Sequence, residues 1–188
     1  MRTAAFLDRD GVINENRRYY VKSWHEFVFL PGALPSLRRL ARMPFATIVI
    51  SNQSAINRGL LSLSEVNDIN ERMVREVKEA GGRIDGIYIC PHRPDEECDC
   101  RKPKPGLLCQ AADELGIDLA SSYLVGDALS DLEAARAAGC TPVLVLTGRG
   151  REELLKVGRS GLTGFLLAAD LAESVDWILR FSDRHRSW

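Results

Sequence analysis

The feature that most limits the fold is a rhythm. Short apolar runs recur along the chain, and each is followed by a stretch with helical spacing. Ala4-Ala5-Phe6-Leu7 stops at Asp8. Leu34 to Met43 then sets Leu34, Leu37, Leu40 and Ala41 on one face and Arg38, Arg39 and Arg42 on the other, opened by Pro31-Gly32. Thr47-Ile48-Val49-Ile50 is β-branched and runs into Ser51-Asn52-Gln53. A long helix is predicted from Ser62 or Ser64, either of which can cap it, to about Ala80, where Gly81-Gly82 stops it. Gly86 to Cys90 reads as a third strand, Leu107 to Leu115 as a helix ended by Gly116, and Tyr123-Leu124-Val125 as a fourth strand. Leu129 to Ala138 is an Ala-rich helix stopped by Gly139, and Pro142 to Leu146 is a fifth strand. Glu152 to Val157 reads as a short helix, Phe165-Leu166-Leu167 as a weak strand, Leu171 to Phe181 as a last helix, and Arg180 to Trp188 as a solvated end. Strands alternating with helices in this way form a doubly wound, Rossmann-like parallel α/β sheet with helices on both faces. At 188 residues, one domain over 1–188 is expected.

Ligands of such sheets bind beyond the carboxyl ends of the strands. Asp8-Arg9-Asp10-Gly11 follows strand one, Ser51-Asn52-Gln53-Ser54 strand two, the Cys/His stretch with Arg101-Lys102-Pro103-Lys104 strand three, and Gly126-Asp127 with Asp131 strand four. One polar strand end means little, but four converge on one site in this topology. Residues 11–30 and 91–106 show no periodicity, and segments of that length in a compact domain are usually functional.

Asp8, Asp10 and Asp127 would meet at the sheet edge. Anions packed together need a cation, and hard oxygen ligands with open positions suit Mg²⁺ with a phosphate. A carboxylate at Asp8 can attack phosphorus, and Asp10 can serve as general acid and then base. Ser51 and Lys102 would stabilise charge on a transferring phosphoryl group, and Arg101 can fork onto a second phosphate. Taken alone, Asp-x-Asp-Gly is an ordinary strand-to-turn connection, Ser51-Asn52-Gln53 a cap or turn, and Lys102 a solvated charge.

Cys90-Pro91-His92, five residues, then Cys98-Asp99-Cys100 places three of the 5 cysteines and one imidazole within a short span. Cys90, His92, Cys98 and Cys100 match a closed Cys₃His structural zinc site, and a metal would pin a loop with no core of its own. Free thiols or a redox pair are the alternative. Cys109 and Cys140 are spare and read as core. Trp24, Phe27 and Phe29 read as packing of the 11–30 segment.

Lys+Arg of 25 against Asp+Glu of 26 leaves a net charge of −1, which excludes a broadly basic nucleic-acid footprint. No window is apolar enough for a transmembrane helix, and an acidic residue precedes any signal-peptide core. The expectation is a monomer in the cytoplasm, acting on a small phosphorylated substrate without nucleic acid or membrane.

Asp8-Arg9-Asp10-Gly11-Val12, Ser51, Lys102 and Gly126-Asp127-x3-Asp131 resemble the four motifs of the haloacid dehalogenase (HAD) superfamily of phosphatases. Tyr20-Val21, Phe27-x-Phe29-x-Pro31-Gly32, Ser51-Asn52-Gln53-Ser54-x-Ile56-x-Arg58-Gly59 and the 98–106 stretch are similar to its heptose-bisphosphate phosphatase branch. The resemblance covers roughly residues 4–147. It implies a HAD-like fold with a short zinc loop in place of a large cap. It implies Asp8 as nucleophile through an aspartyl-phosphate, Asp10 as acid/base, and Ser51 and Lys102 at the phosphoryl group. Mg²⁺ would be held by Asp8, the Asp10 backbone carbonyl and Asp127, with Asp131 behind them. Tyr20, Asn52, Gln53, Ser54 and Arg101 would meet the substrate, a heptose 1,7-bisphosphate cleaved at its 7-phosphate. The five-residue spacing before Cys98 is instead that of the related histidinol-phosphate phosphatases, which supply a second substrate reading. A non-catalytic phospho-ligand binding module is a third.

Overall fold

The computed structural model describes residues 2–185. Six parallel strands form one sheet: β1 (Ala4–Leu7), β2 (Ala46–Asn52), β3 (Gly86–Cys90), β4 (Tyr123–Gly126), β5 (Thr141–Val145) and β6 (Leu166–Ala168). Their spatial order is β3-β2-β1-β4-β5-β6. The chain winds outward from β1 to β3, returns to β4 on the other side of β1, and winds outward again. The winding reverses at β1, which opens a crevice above its carboxyl end.

Among the described residues five α-helices connect the strands, α1 (Ala33–Ala41), α2 (Leu63–Glu79), α3 (Gly106–Leu115), α4 (Leu129–Ala138) and α5 (Gly150–Ser160), and α6 (Leu171–His185) follows β6. Strand alternation assigns them to two faces. Ala5, Leu7, Val49, Val125 and Val143 point to one face, where Leu37 and Leu40 of α1, Ile69, Met73 and Val77 of α2, and Val175 and Ile178 of α6 cover them. Ala4, Phe6, Ile48, Ile50 and Leu124 point to the other, under Leu107, Leu108 and Ala111 of α3 and Ala134 and Ala135 of α4. Leu144 packs with Leu132 and with Val157 of α5. All the central strands are covered on both faces, which is why they read as continuous apolar runs rather than alternating ones.

Among the expected elements, α2 begins where Ser62 caps it. The Ser62 hydroxyl accepts from the Glu65 N–H at 3.1 Å, and the Glu65 carboxylate accepts from the Ser62 N–H at 2.7 Å. α5 is longer at both ends than its apolar pattern predicts. α6 runs on to His185, where a solvated end was expected from Arg180; residues 186–188 of that end lie outside the described residues. The 11–30 segment contains one short 3₁₀ turn, Trp24–Glu26. Trp24 stacks on Phe27 at 4.9 Å, and Phe29 meets Phe27 edge-on at 5.0 Å, so these rings do pack the segment onto the core. Cys140 is buried in the core, whereas Cys109 is only half-buried. No helix among the described residues is long and apolar enough to cross a membrane.

Candidate active site

A cleft of about 520 Å³ opens above the carboxyl ends of β1, β2 and β4. Its lining includes Asp8, Asp10, Ser51, Asn52, Arg101 and Lys102, and the 11–30 segment contributes Asn16, Arg17, Arg18 and Tyr20. Sheet register brings these residues together. Leu7 pairs with Val49 and Val125, so Asp8 leaves β1 beside the ends of β2 and β4. Gly11, at a φ of 94°, turns the chain directly after Asp10. A Cβ there would overlap the Asp127 carboxylate, so only glycine fits.

The floor of the cleft is a buried charge cluster. Lys102 Nζ lies 2.6 Å from Asp131 Oδ1 and 3.0 Å from Asp8 Oδ1, and donates to the Ile50 carbonyl at 3.0 Å. Burial opposes the Lys102 charge, but Asp131 and Asp8 outweigh it and hold its pKa above the ordinary lysine value. Burial also raises the Asp8 carboxyl, to about 6; Lys102 offsets part of this, and Asp131 and Asp10 add to it. Asp127 is raised by its own burial and then by the Asp8 charge, with Arg149 opposing both. Arg149 contacts Asp127 twice, through its guanidinium at 3.2 Å and its backbone N–H at 2.8 Å.

Carboxylate oxygens of Asp8, Asp127 and Asp131 lie within 4.8 Å of one another. These three buried acids form a donor set of hard oxygens, and with Asp8 and Asp127 held above their ordinary pKa by burial the set calls for a further cation, which suits Mg²⁺. The Asp10 carboxylate is not part of this set. It accepts from Arg9 Nη2 at 3.0 Å, Gln53 Nε2 at 2.8 Å and Asn14 Nδ2 at 2.9 Å, so only its backbone carbonyl remains as a ligand from that residue.

The remaining expected residues divide into two groups. Asn52 clamps the Lys102 backbone, accepting its N–H at 3.2 Å and donating to its carbonyl at 3.1 Å. The Tyr20 hydroxyl and Ser54 Oγ are 3.1 Å apart on the cleft wall. Arg101 lines the cleft and donates to the His92 carbonyl at 3.0 Å. Gln53 is a correction: the structure does not put it against the cleft. It is 1% exposed, and its amide bridges Asp10 and Ser51 Oγ at 2.8 Å each. Its backbone N–H donates to the Cys90 carbonyl at 2.8 Å, and the amide bonds to Asp10 and Ser51 hold its side chain inward.

Sequence reasoning missed Arg9, Asn14, Asn16 and Arg149. Arg149 was within reach, since Thr147-Gly148-Arg149 follows β5 just as the other site segments follow their strands. Arg9 sits between the two motif aspartates, and nothing local marks it.

Cys90, His92, Cys98 and Cys100 form a second cluster. Cys90 Sγ lies 3.6 Å from Cys98 Sγ and 3.2 Å from Cys100 Sγ, Cys98 and Cys100 are 3.4 Å apart, and His92 Nδ1 is 3.5 Å from Cys90 Sγ and 3.2 Å from Cys100 Sγ. Four ligands around a tetrahedral zinc, at Zn–S of about 2.3 Å and Zn–N of about 2.0 Å, are separated by about 3.5–3.8 Å. The four atoms thus lie near the corners of such a tetrahedron. All are free of disulfides.

The HAD-hydrolase-like family model matches residues 99–174. The D-glycero-β-D-manno-heptose-1,7-bisphosphate 7-phosphatase of Bordetella bronchiseptica is 41% identical over 174 residues, 93% of this chain and 96% of its own length. The enzyme of the same name from Escherichia coli K12 is 44% identical over 154 residues, 78% of this chain and 80% of its own. The crystal structure of the B. bronchiseptica phosphatase, complexed with magnesium and phosphate, superposes with a TM-score of 0.89 at 41% identity, covering 96% of this chain and 99% of that one.

Replacing Lys102 by Met should unbalance the buried acids. Removing one partner of a buried pair costs about 3–5 kcal/mol. Urea unfolding of metal-free Lys102→Met should show a loss of that order, against a surface control such as Lys78→Met.

Proposed function

The chain belongs to the heptose 1,7-bisphosphate phosphatase family of HAD-like hydrolases, and we propose that its own reaction is removal of the 7-phosphate from D-glycero-D-manno-heptose 1,7-bisphosphate. The observation that carries this reading is the Asp8 carboxylate, buried at the cleft floor between the Lys102 ammonium and two further carboxylates. A nucleophile there is fixed in orientation by two donors on Oδ1: Lys102 Nζ at 3.0 Å and the Arg9 N–H at 2.8 Å.

In the first transfer, an Asp8 oxygen bonds to phosphorus while the bond from phosphorus to the sugar oxygen breaks. The Asp10 carboxyl delivers its proton to that departing oxygen. In the second, water bonds to phosphorus, its proton passes to the Asp10 carboxylate, and the aspartyl bond breaks to regenerate Asp8. Ser51 Oγ accepts from Gln53, so its own O–H is available to a phosphoryl oxygen. Lys102 divides its three N–H groups among Asp8, Asp131 and Ile50, and the one facing Asp8 is the one that a phosphoryl group on Asp8 would meet. Asp8, Asp127 and the Asp10 carbonyl would hold Mg²⁺, which supplies positive charge shared between these acids and a phosphate oxygen. Arg101, with Asn52, Ser54 and Tyr20 on the wall, is suited to the substrate's second phosphate and hydroxyls.

Cys90, His92, Cys98 and Cys100 would bind one structural zinc. Burial holds the Cys90 thiol well above its ordinary pKa. For Cys98, hydrogen bonds from Cys100, the Arg101 N–H and Cys90 overcome the opposing effect of burial and hold it below. A metal would take the thiols as thiolates and release protons. The site has no open position, so the zinc would hold the 91–106 loop rather than take part in the reaction. Thiols kept free for metal suit a reducing compartment such as the cytoplasm.

Three outcomes test these assignments. With Mg²⁺, kcat/KM for heptose 1,7-bisphosphate should exceed that for histidinol phosphate by at least about a hundredfold; a ratio below one overturns the substrate. Asp8→Asn should fold and bind metal yet lose at least about a thousandfold in kcat, and an active variant rejects the aspartyl-phosphate. Metal analysis of the purified protein should find one equivalent of zinc. Its removal by a chelator should expose the 91–106 loop to hydrogen exchange and lower activity together; protein folded and active without zinc removes the Cys₃His assignment.

A further inference from the structure

The buried stripe of α2 is Val66, Ile69, Asn70, Met73 and Val77. Ile69, Met73 and Val77 pack in the core over the sheet, Val66 packs with Ala55 and Leu61, and the fifth side chain is an amide. Asn70 is 5% exposed, and its Oδ1 accepts from Arg9 Nη1 at 3.0 Å, across 61 residues of chain. Arg9 is 1% exposed, the largest of the fully buried side chains. The opposite edge of its guanidinium lies along Asp10, with Nε 3.2 Å from Oδ2 and Nη2 3.0 Å from Oδ2 and 3.2 Å from Oδ1. The Asp10 side chain keeps 23% of its surface exposed and lines the cleft. A line of contacts thus runs from the interior of α2, through one planar cation, to the carboxyl at the reacting centre.

A guanidinium is rigid, so fixing one edge fixes the direction of the other. The Arg9 side chain is long and buried, and Asn70 holds the edge of its guanidinium that Asp10 does not touch. Asn14 and Gln53 also donate to Asp10, but both belong to segments that line or adjoin the cleft. Asn70 is the anchor in a regular element held by the core. We propose that Asn70 is a positioning residue: by locking Arg9 it aims the Asp10 carboxyl at the oxygen that leaves phosphorus. This rests on the phosphatase reading above and adds to it a residue on a helix that does not touch the cleft floor.

Proton delivery matters only where the leaving group needs a proton. A sugar alkoxide does, whereas the p-nitrophenolate ion departs without one. The test compares kcat/KM on a primary-alcohol sugar phosphate with that on p-nitrophenyl phosphate, using the full chain with Mg²⁺. This ratio reports the steps up to the first transfer, so later hydrolysis of the enzyme intermediate does not enter it. Asn70→Leu, which keeps the shape and removes the acceptor, should lose about tenfold on the sugar phosphate through kcat with KM unchanged. On p-nitrophenyl phosphate it should stay within about twofold of the unaltered protein. Asn70→Asp, which restores an acceptor for Arg9, should recover the sugar-phosphate rate to within about threefold. Should Asn70→Leu not fold, Asn70→Ala carries the same expectation. Equal losses on both substrates mark a purely structural role and overturn the proposal, as does an unchanged rate on the sugar phosphate. An unaltered protein that cleaves neither substrate refutes the phosphatase reading instead, a result visible before any variant is made.

Discussion

The Lys102 ammonium, buried between Asp8 and Asp131, is the interaction on which the site depends. Without it, Asp8, Asp127 and Asp131 would place three carboxylates in a region almost closed to water. Its placement requires three separate pieces of chain to coincide. Asp8 follows β1, Asp131 lies in the first turn of α4, and β2 supplies both the Ile50 carbonyl and Asn52, which grips the Lys102 backbone on its N–H and C=O. Asp8, Asp127 and Asp131 still outnumber Lys102 and Arg149, and burial first, then the neighbouring acids, raises Asp8 and Asp127. The negative charge left on the floor suits a divalent cation.

Lys102 reaches this position from a loop that has little apolar content to hold it. The segment after β3 contains a short 3₁₀ turn at Pro94–Glu96 and is otherwise irregular until α3. The Cys/His cluster draws its two ends together, and Arg101 is tied to it through the His92 carbonyl. The cluster therefore stands one residue from Arg101 and two from Lys102, and whatever orders it orders both. On the opposite rim, the 11–30 segment is held by its own aromatic cluster and by the Asn14–Phe29 bridge, and it brings Tyr20 at a positive φ against Ser54. One wall is thus held by apolar packing, and the other adjoins the clustered Cys and His side chains.

The elements were legible because they bury apolar residues with clear periods. The β-branched run at Thr47–Ile50 and the Ser62 cap with Glu65 three residues on carry their own signal. Boundaries slipped where packing, not pattern, sets them: α5 starts at Gly150 because its first turn sits against β5, and α6 extends through polar residues to His185. The polar strand ends were legible as a set once the topology was assumed. What stayed hidden were the residues that act on other residues. Gln53 has the residue type and location of a substrate contact, yet its amide is held inward by Asp10 and Ser51.

By itself, the sequence determined the parallel α/β architecture, the polar strand ends and the close Cys/His spacing from Cys90 to Cys100. Each is written in local order, as a period, a motif or a short spacing. Only the tertiary structure decided which carboxylates share one space, which way the Asp10 and Gln53 side chains turn, and that Asn70 of α2 meets Arg9. Those facts depend on contacts between residues far apart in the chain, such as Arg9 with Asn70 and Asp127 with Arg149. Contacts of that kind leave no periodic trace in the sequence, because the geometry that creates them exists only after the sheet has closed and the helices have docked.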